Sequence, residues 1–435
     1  MYEDYLNFFE ATEFIERSKY EEYLRNTHTI ENFKIAQDIN EKGYIDNPDK
    51  FTKLFDIVEN AIFNLRIHKK ELGFFISSEK IDMLYTAFSI KRNSENNPDY
   101  LFYTHECPLM KRPLIELPDG SIIIPMQKQL IHSIYSFLFD ACYGLDKSGR
   151  RIFKKRDDRL EDKTRSVFDT FFKNEAKIFS HYYIGDNEKD LLVLYRNSAF
   201  IIECKANKYR EPLLDTEKAY VRIQDDFKKS VQKGYEQALE VERLFKSVEC
   251  FEIKNERGSL ITEIKTNKYQ NVFSLIVTQE RLGQIQTDLG LLLEIDENDL
   301  YPWSVYIDDL ETFLITLSRK ENYYGEFITY LHNREKLHTR LTSSDELELA
   351  ALFITQKNTF IKYCNMNAVF LSDPTSNRFF DELYQIGFGF ENERNLDRKI
   401  EKENTNFLKI RKRLKELRLT KTPQVIKAYK ATQNQ

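Results

Sequence analysis

The sequence predicts an α/β core whose mixed sheet is laid down in the order α-β-β-β-α-β, flanked by mainly helical amino- and carboxyl-terminal domains. Three observations carry that expectation. Two apolar runs of strand length, Leu191–Tyr195 and Ala199–Ile202, are joined by the turn-like Arg196-Asn197-Ser198 and read as a β-hairpin. A further apolar run, Asn271–Thr278, suits a central strand of a parallel sheet, which is buried on both faces. Between them, Phe227, Val231, Tyr235, Ala238, Leu239 and Val241 keep helical spacing over Asp225–Phe245, supplying a right-handed crossover.

The elements follow in order. Residues 1–148 are expected to form a mostly helical accessory domain, beginning with apolar residues at helical spacing over Phe51–Leu72. At 113–125 an Asp119-Gly120 pair sits between two apolar stretches, a strong short-range hairpin signal. A helix over Gln127–Tyr143 follows, and His132 on it reads as a packing or capping residue. Gly144, Gly149 and the basic run Lys147–Arg156 mark the boundary with the core, 149–318. The first core helix, 157–174, sets Leu160, Val167, Phe168, Phe171 and Phe172 near one stripe, with Asn174 as its stop. Lys177–Ile184 reads as a strand and Gly185-Asp186-Asn187 as the turn into the hairpin. After Asn271–Thr278, Pro302–Leu317 adds a strand running into a helix, and 319–435 read as a helical, charged carboxyl-terminal region.

Three charges stand at the end of the hairpin, where core would be expected. If Arg196 and Asn197 form its loop, Tyr195 faces Ser198, Val193 faces Phe200 and Asp190 lies opposite Glu203. Alternation then puts Glu203 and Lys205 on one face and Cys204 on the other. Facing carboxylates repel unless a cation lies between them, and buried charge is costly unless paired or bound to metal. Hard oxygen ligands of this kind suit Mg²⁺, with Mn²⁺ as a substitute, and a neighbouring lysine stabilises developing negative charge. An exposed Glu203–Lys205 ion pair at a surface hairpin is the plainer alternative. Asp186 or Glu188 takes the place of Asp190 if the strand begins earlier.

Asp190 and the Glu203-Cys204-Lys205-Ala206 strand ending resemble the PD-(D/E)XK nuclease superfamily, with its restriction-endonuclease-like fold, over residues 157–315. Lys189 stands where the superfamily name has Pro. The resemblance implies a Mg²⁺-dependent nuclease. Asp190 and Glu203 would hold metal, joined by Glu161 of the first helix (Glu175 being the rival) and by the backbone carbonyl of Ile202 or Cys204. Lys205 would assist the attacking water, and Gln237 resembles a helical Gln found beside the active site in several branches. DNA is the expected substrate and a bacterial defence or restriction system the expected setting. A non-catalytic nucleic-acid-binding or assembly subunit on the same fold is the alternative, and a homo-oligomer or a separate ATPase or sensor subunit are the partners such systems suggest.

Composition frames these expectations. The chain has 435 residues, 41% hydrophobic and 31% charged, with net charge −5. No apolar run approaches a membrane span of ~20 residues, and the acidic amino terminus lacks signal-peptide character, so the chain reads as cytoplasmic. Cys107, Cys142, Cys204, Cys250 and Cys364 have no CxxC spacing and read as reduced thiols. The seven histidines form no ligand cluster, and His332 with His338 reads as a helix-surface pair. An acidic chain is an unusual nucleic-acid enzyme, since Lys and Arg supply phosphate affinity. Basic residues nevertheless concentrate at Lys147–Arg156 and along Lys409–Lys430, the latter an amphipathic helix with a cationic face. No Walker loop, GxGxxG or GxSxG occurs.

Overall fold

The computed structural model describes residues 2–27, 30–42, 49, 52, 65–91, 107–146, 150–207, 209–210 and 215–385. Most of the helix expected over Phe51–Leu72, residues 147–149 of the first basic run and all of the second, Lys409–Lys430, lie outside them. The chain divides into two compact units, Met1–Ile152 and Phe153–Gln435. No helix of the described residues is long and apolar enough to cross a membrane.

The first unit contains α1 (Tyr2–Thr27), α2 (Ile30–Lys42), the short α3 (Lys69–Leu72), α4 (Ser78–Phe88) and α5 (Gln127–Leu145). A small sheet of β1 (Ser89–Lys91), β2 (Leu114–Glu116) and β3 (Ile122–Ile123) joins them, β1 parallel to β2 and β2 antiparallel to β3. The turn between β2 and β3 is the Asp-Gly hairpin that the sequence announces. Gly120 takes φ +76°, and the Asp119 carboxylate accepts from the Ser121 amide at 3.0 Å. Residues 65–68 depart from the expected helix. Ile67 bridges Ile122, because its side chain is wanted in the core of Tyr5, Phe8, Phe88, Leu114 and Leu130.

The second unit begins within α6 (Arg150–Phe171) and is a mixed α/β assembly. The seven strands of its main sheet are β4 (Lys177–Ile184), β5 (Asn187–Tyr195), β6 (Ser198–Lys205), β7 (Cys250–Lys254), β8 (Leu260–Lys265), β9 (Asn271–Thr278) and β10 (Trp303–Tyr306). They lie in the order β10-β9-β6-β5-β4-β7-β8. β6, β9 and β10 run parallel, and the remaining neighbours are antiparallel. The hairpin register is the one expected from its loop: Tyr195 pairs Ser198, Val193 pairs Phe200 and Leu191 pairs Ile202. Arg196 closes the loop at φ +52°.

Helices cover both faces of this sheet. α6 packs on one through Leu160, Val167, Phe168 and Phe171, meeting Leu191, Val193, Phe200 and Ile202. The crossover helix packs on the other through Ala238, Val241 and Phe245, meeting Leu192, Leu194, Ile201 and Ile276. It is longer than the sequence suggested: α7 (Thr216–Phe227), a π turn (Lys228–Gln232) and α8 (Lys233–Ser247) follow one another without a break.

Four further expectations are corrected. The β7–β8 hairpin extends the sheet beyond the expected order. It joins β4 through the single pair Tyr183–Lys254, and β8 is largely exposed, so no apolar run announces it. The boundary expected at 318/319 does not separate two bodies. After the short α9 (Gln284–Thr287) and α10 (Ile307–Ser318), the helices α11 (Tyr323–Arg334), α12 (Glu346–Thr355) and α13 (Lys357–Asn365) share one hydrophobic cluster with α6 and the sheet. Phe327 of α11 lies 5.3 Å, centroid to centroid, from Phe171 and 5.5 Å from Phe200. The region is also not purely helical, since β11 (Leu341–Thr342) pairs with β12 (Phe370–Leu371). His338 is no surface residue: it is buried, and its Nδ1 accepts from the Leu289 amide at 3.0 Å.

Candidate active site at the end of the central hairpin

The last residues of β6 stand where its ladder with β5 has ended but its ladder with β9 continues, through Glu203–Ile276 to Lys205–Thr278. Glu203 and Lys205 therefore keep strand geometry and point to the α8 face, as Ile201 does. Glu203 is fully buried. The Lys205 ammonium lies 2.9 Å from Glu203 Oε2 and 3.5 Å from Asp190 Oδ2. Asp190 also accepts from the Cys204 backbone amide at 2.7 Å. Sequence reasoning placed Asp190 opposite Glu203; its carboxylate instead takes the donor that the interrupted ladder leaves free on the next residue. Cys204 turns the other way, its thiol donating to Thr164 Oγ1 of α6 at 3.6 Å.

Glu161 approaches from the opposite helical layer, close enough to Asp190 for the two charges to repel. His181 Nδ1 lies 3.3 Å from Glu161 Oε2 and 3.3 Å from Glu188 Oε1, and only the second contact has hydrogen-bond geometry. The rival Glu175 is at the other end of the hairpin, accepting from Tyr195 Oη at 3.1 Å. Glu188 is half exposed and accepts from Tyr183 Oη, so it serves the rim. Gln237, on α8, gives its backbone carbonyl to Lys189 Nζ at 3.0 Å.

Electrostatics follow from this crowding. Burial first, and the Asp190 charge second, push the Glu203 carboxyl up to about 8 against the pull of Lys205. Burial and then Asp190 raise Glu161 to about 7, with His181 opposing. Burial works to lower the Lys205 pKa, but Glu203 and Asp190 together raise it, so its ammonium stays charged. Four buried polar atoms here have no hydrogen-bond partner: Glu203 Oε1, Glu161 Oε2, Gln237 Oε1 and Tyr182 Oη. With the carboxyls ionised, three of them are pure acceptors, and buried acceptors without donors call for water or a cation. The carboxylates are hard oxygen donors of the kind divalent ions take. Among the described residues no group of three or more His, Cys, Asp or Glu side chains is assembled around one point; Lys205 stands between the two central carboxylates.

Four contributors escaped the sequence reading. Lys189 is fully buried, with its ammonium 2.5 Å from Glu240 Oε2 of α8 as well as on the Gln237 carbonyl. Its lysine-before-aspartate spelling carries no sign of burial. Tyr182 and His181 are hidden within an ordinary strand pattern. Gly234, one turn before Gln237, lets α8 approach so closely that a Cβ there would stand 3.0 Å from Lys205 Cε and 3.0 Å from Ile276 Cγ2. Gly inside a helical pattern, which costs about 1 kcal/mol against Ala, is the one usable signal. The π turn preceding it is held by Ser230, whose Oγ donates to the Asp226 and Phe227 carbonyls.

Comparison of the chain with family models, with curated proteins and with solved structures finds no match.

Proposed function

We propose that the second unit is a metal-dependent nuclease of the restriction-endonuclease-like class, hydrolysing phosphodiester bonds, with DNA as the substrate. The observation that carries this reading is the convergence of Asp190, Glu203 and Lys205 at one sheet end, with Glu203 Oε1 and Glu161 Oε2 buried and without donors. These residues fit a hard divalent ion: Asp190, Glu203 and Glu161 would hold Mg²⁺, which supplies Lewis-acid polarisation of a phosphate and lowers the pKa of water. Glu203, enclosed by sheet and α8, fixes one side of the site. Lys205, charged and held by two carboxylates, presents its ammonium to the phosphate and to negative charge developing on it. Asp190, tied to the Cys204 amide, keeps its second oxygen available.

A rival reading, a non-catalytic nucleic-acid-binding or assembly subunit, is favoured by one observation. Lys205 already bridges both carboxylates, as a self-contained ion cluster would. Wild type and Lys205→Ala separate the two on linear, circular and single-stranded DNA with Mg²⁺, Mn²⁺ or EDTA. Metal-dependent cutting that disappears in the variant supports the nuclease, and cutting of circular DNA marks endonucleolytic action. No cutting by wild type under any metal favours the binding subunit.

A further inference from the structure

β4 and β5 pair in one register, Ile178–Val193, Phe179–Leu192 and Ser180–Leu191, then again at Tyr182–Lys189. His181 and Asp190 stand opposite each other in the gap. His181 has φ +48°, the left-handed region that a histidine in mid-strand rarely visits. Strict alternation would keep Ile178, Ser180 and Tyr182 on one face. Ile178 indeed packs with the α6 layer, but Tyr182 packs with the α8 layer. β5 switches at the same level: Leu191 faces the α6 layer, while Lys189 reaches the α8 residues Gln237 and Glu240. The two strands change face together, and the pair at the change is His181 and Asp190.

Glu161 belongs to the α6 layer, and Glu203 and Lys205 point to the α8 layer. Side chains on opposite faces of an unbroken sheet cannot meet, since the backbone lies between them. Asp190 lies within 3.5 Å of Lys205 Nζ and is also close to Glu161, because it sits where the alternation is interrupted. We propose that His181 is a positioning residue whose left-handed backbone breaks the alternation of both strands, setting Asp190 in the sheet end between the α6 and α8 layers. The inference rests on the reading of Asp190, Glu203 and Lys205 as the working site, but the kink itself can be read without activity.

The experiment compares His181→Gly, His181→Asn and His181→Val with wild type by two readouts, hydrogen exchange at the Cys204 amide and metal-dependent DNA cleavage. Gly and Asn tolerate the left-handed region and remove the imidazole, whereas a β-branched residue resists it. Gly and Asn variants are expected to keep the slow exchange that the Asp190 hydrogen bond confers. The Val variant should exchange about tenfold faster or more and lose about a hundredfold in cleavage through misplacement of Asp190. Asp190→Ala marks the exchange rate with that bond absent, and His181→Ala replaces the Val variant if the latter does not fold. Val and Ala variants exchanging like wild type would overturn the inference. So would an Asn variant that behaves like Val, which would assign the effect to the imidazole contacts with Glu188 and Glu161. If wild type cuts no DNA, the nuclease reading fails, and the exchange comparison alone decides the inference.

Discussion

Glu203 and Lys205 sit two residues apart on a single strand, and the ammonium of one lies 2.9 Å from a carboxylate that solvent does not reach. In the nuclease reading, a charged pair in that position gives up stability for chemistry, because desolvating two charges costs more than an apolar pair of the same shape.

Replacing Glu203 by Gln should therefore uncouple the two properties. The amide keeps the shape and removes a carboxyl whose ionised form the site disfavours. Thermal melting without metal should hold or rise, while cleavage falls by a factor of about a hundred to a thousand. Lys205→Ala should differ: it leaves the carboxylates without their cation, and breaking a buried pair costs about 3–5 kcal/mol. A Glu203→Gln protein that melts markedly lower than wild type would contradict this account.

Stability should depend on pH in two windows of opposite sign. The Glu203 carboxyl rises from its ordinary 4.5 to about 8 on folding, so between those values the folded state binds more protons than the unfolded one. Its contribution is complete at low pH and is lost as pH climbs toward 8. His338 is pushed down from 6.5 to about 4 by burial, so its contribution is present above 6.5 and is lost as pH falls toward 4. Between pH 4.5 and 6.5 the two contributions oppose each other, and Glu161, Asp309 and Glu335, each raised to about 7, add to the Glu203 sense. Melting curves in EDTA should therefore isolate Glu203 between about pH 7 and 8, where Glu203→Gln should flatten the slope and added Mn²⁺ should restore stability.

Gly234→Ala should disturb the site more than the fold. The new methyl would meet Lys205 Cε and Ile276, and the end of the lysine chain yields more readily than the core isoleucine. Alanine also restores about 1 kcal/mol of helix propensity, offsetting part of the crowding. Cleavage should drop about tenfold or more with melting changed by only a few degrees, whereas Gly234→Val should lower both.

A fragment of residues 153–385 should fold, and one of 153–318 should not. The shorter piece would strip Phe327, Tyr330, Phe353 and Phe360 from the cluster that also holds Phe168, Phe200 and Trp303. Removing a single buried Phe side chain already costs about 3–5 kcal/mol. Circular dichroism and gel filtration of the two fragments check this, and a monomeric, cooperatively melting 153–318 would refute it.

Much of the core could be read from residues alone, and the exceptions share a cause. The β5–β6 register was legible because the facing runs Leu191–Tyr195 and Ala199–Ile202 are apolar and the loop has two residues, which leaves one pairing that buries them. Asp190, Glu203 and Lys205 were legible as charges where apolar residues belong, whereas Glu161 came only with the superfamily resemblance. The placement of Asp190 against the Cys204 amide was not, since it depends on a left-handed backbone at His181, a residue type that does not advertise it. The β7–β8 hairpin escaped because Leu260 and Ile261 are exposed and charged residues break up its strands. His338 escaped because burial of a polar ring around Leu289 is decided by residues 49 positions away, beyond any local pattern.

The π turn at Lys228–Gln232 gives the crossover helix one residue more than its α-helical path requires. Each residue of an α-helix advances the face by about 100°, so that extra residue sets the angular phase at which α8 meets β6. Gly234 faces Lys205 only in that phase. The identities of Ser230, Val231 and Gln232 are constrained by their burial, and the number of residues in 228–232 is constrained as well. A one-residue deletion there would rotate α8 by about 100° against the sheet and turn a longer side chain toward Lys205. Length as well as chemistry is what this stretch of the chain encodes.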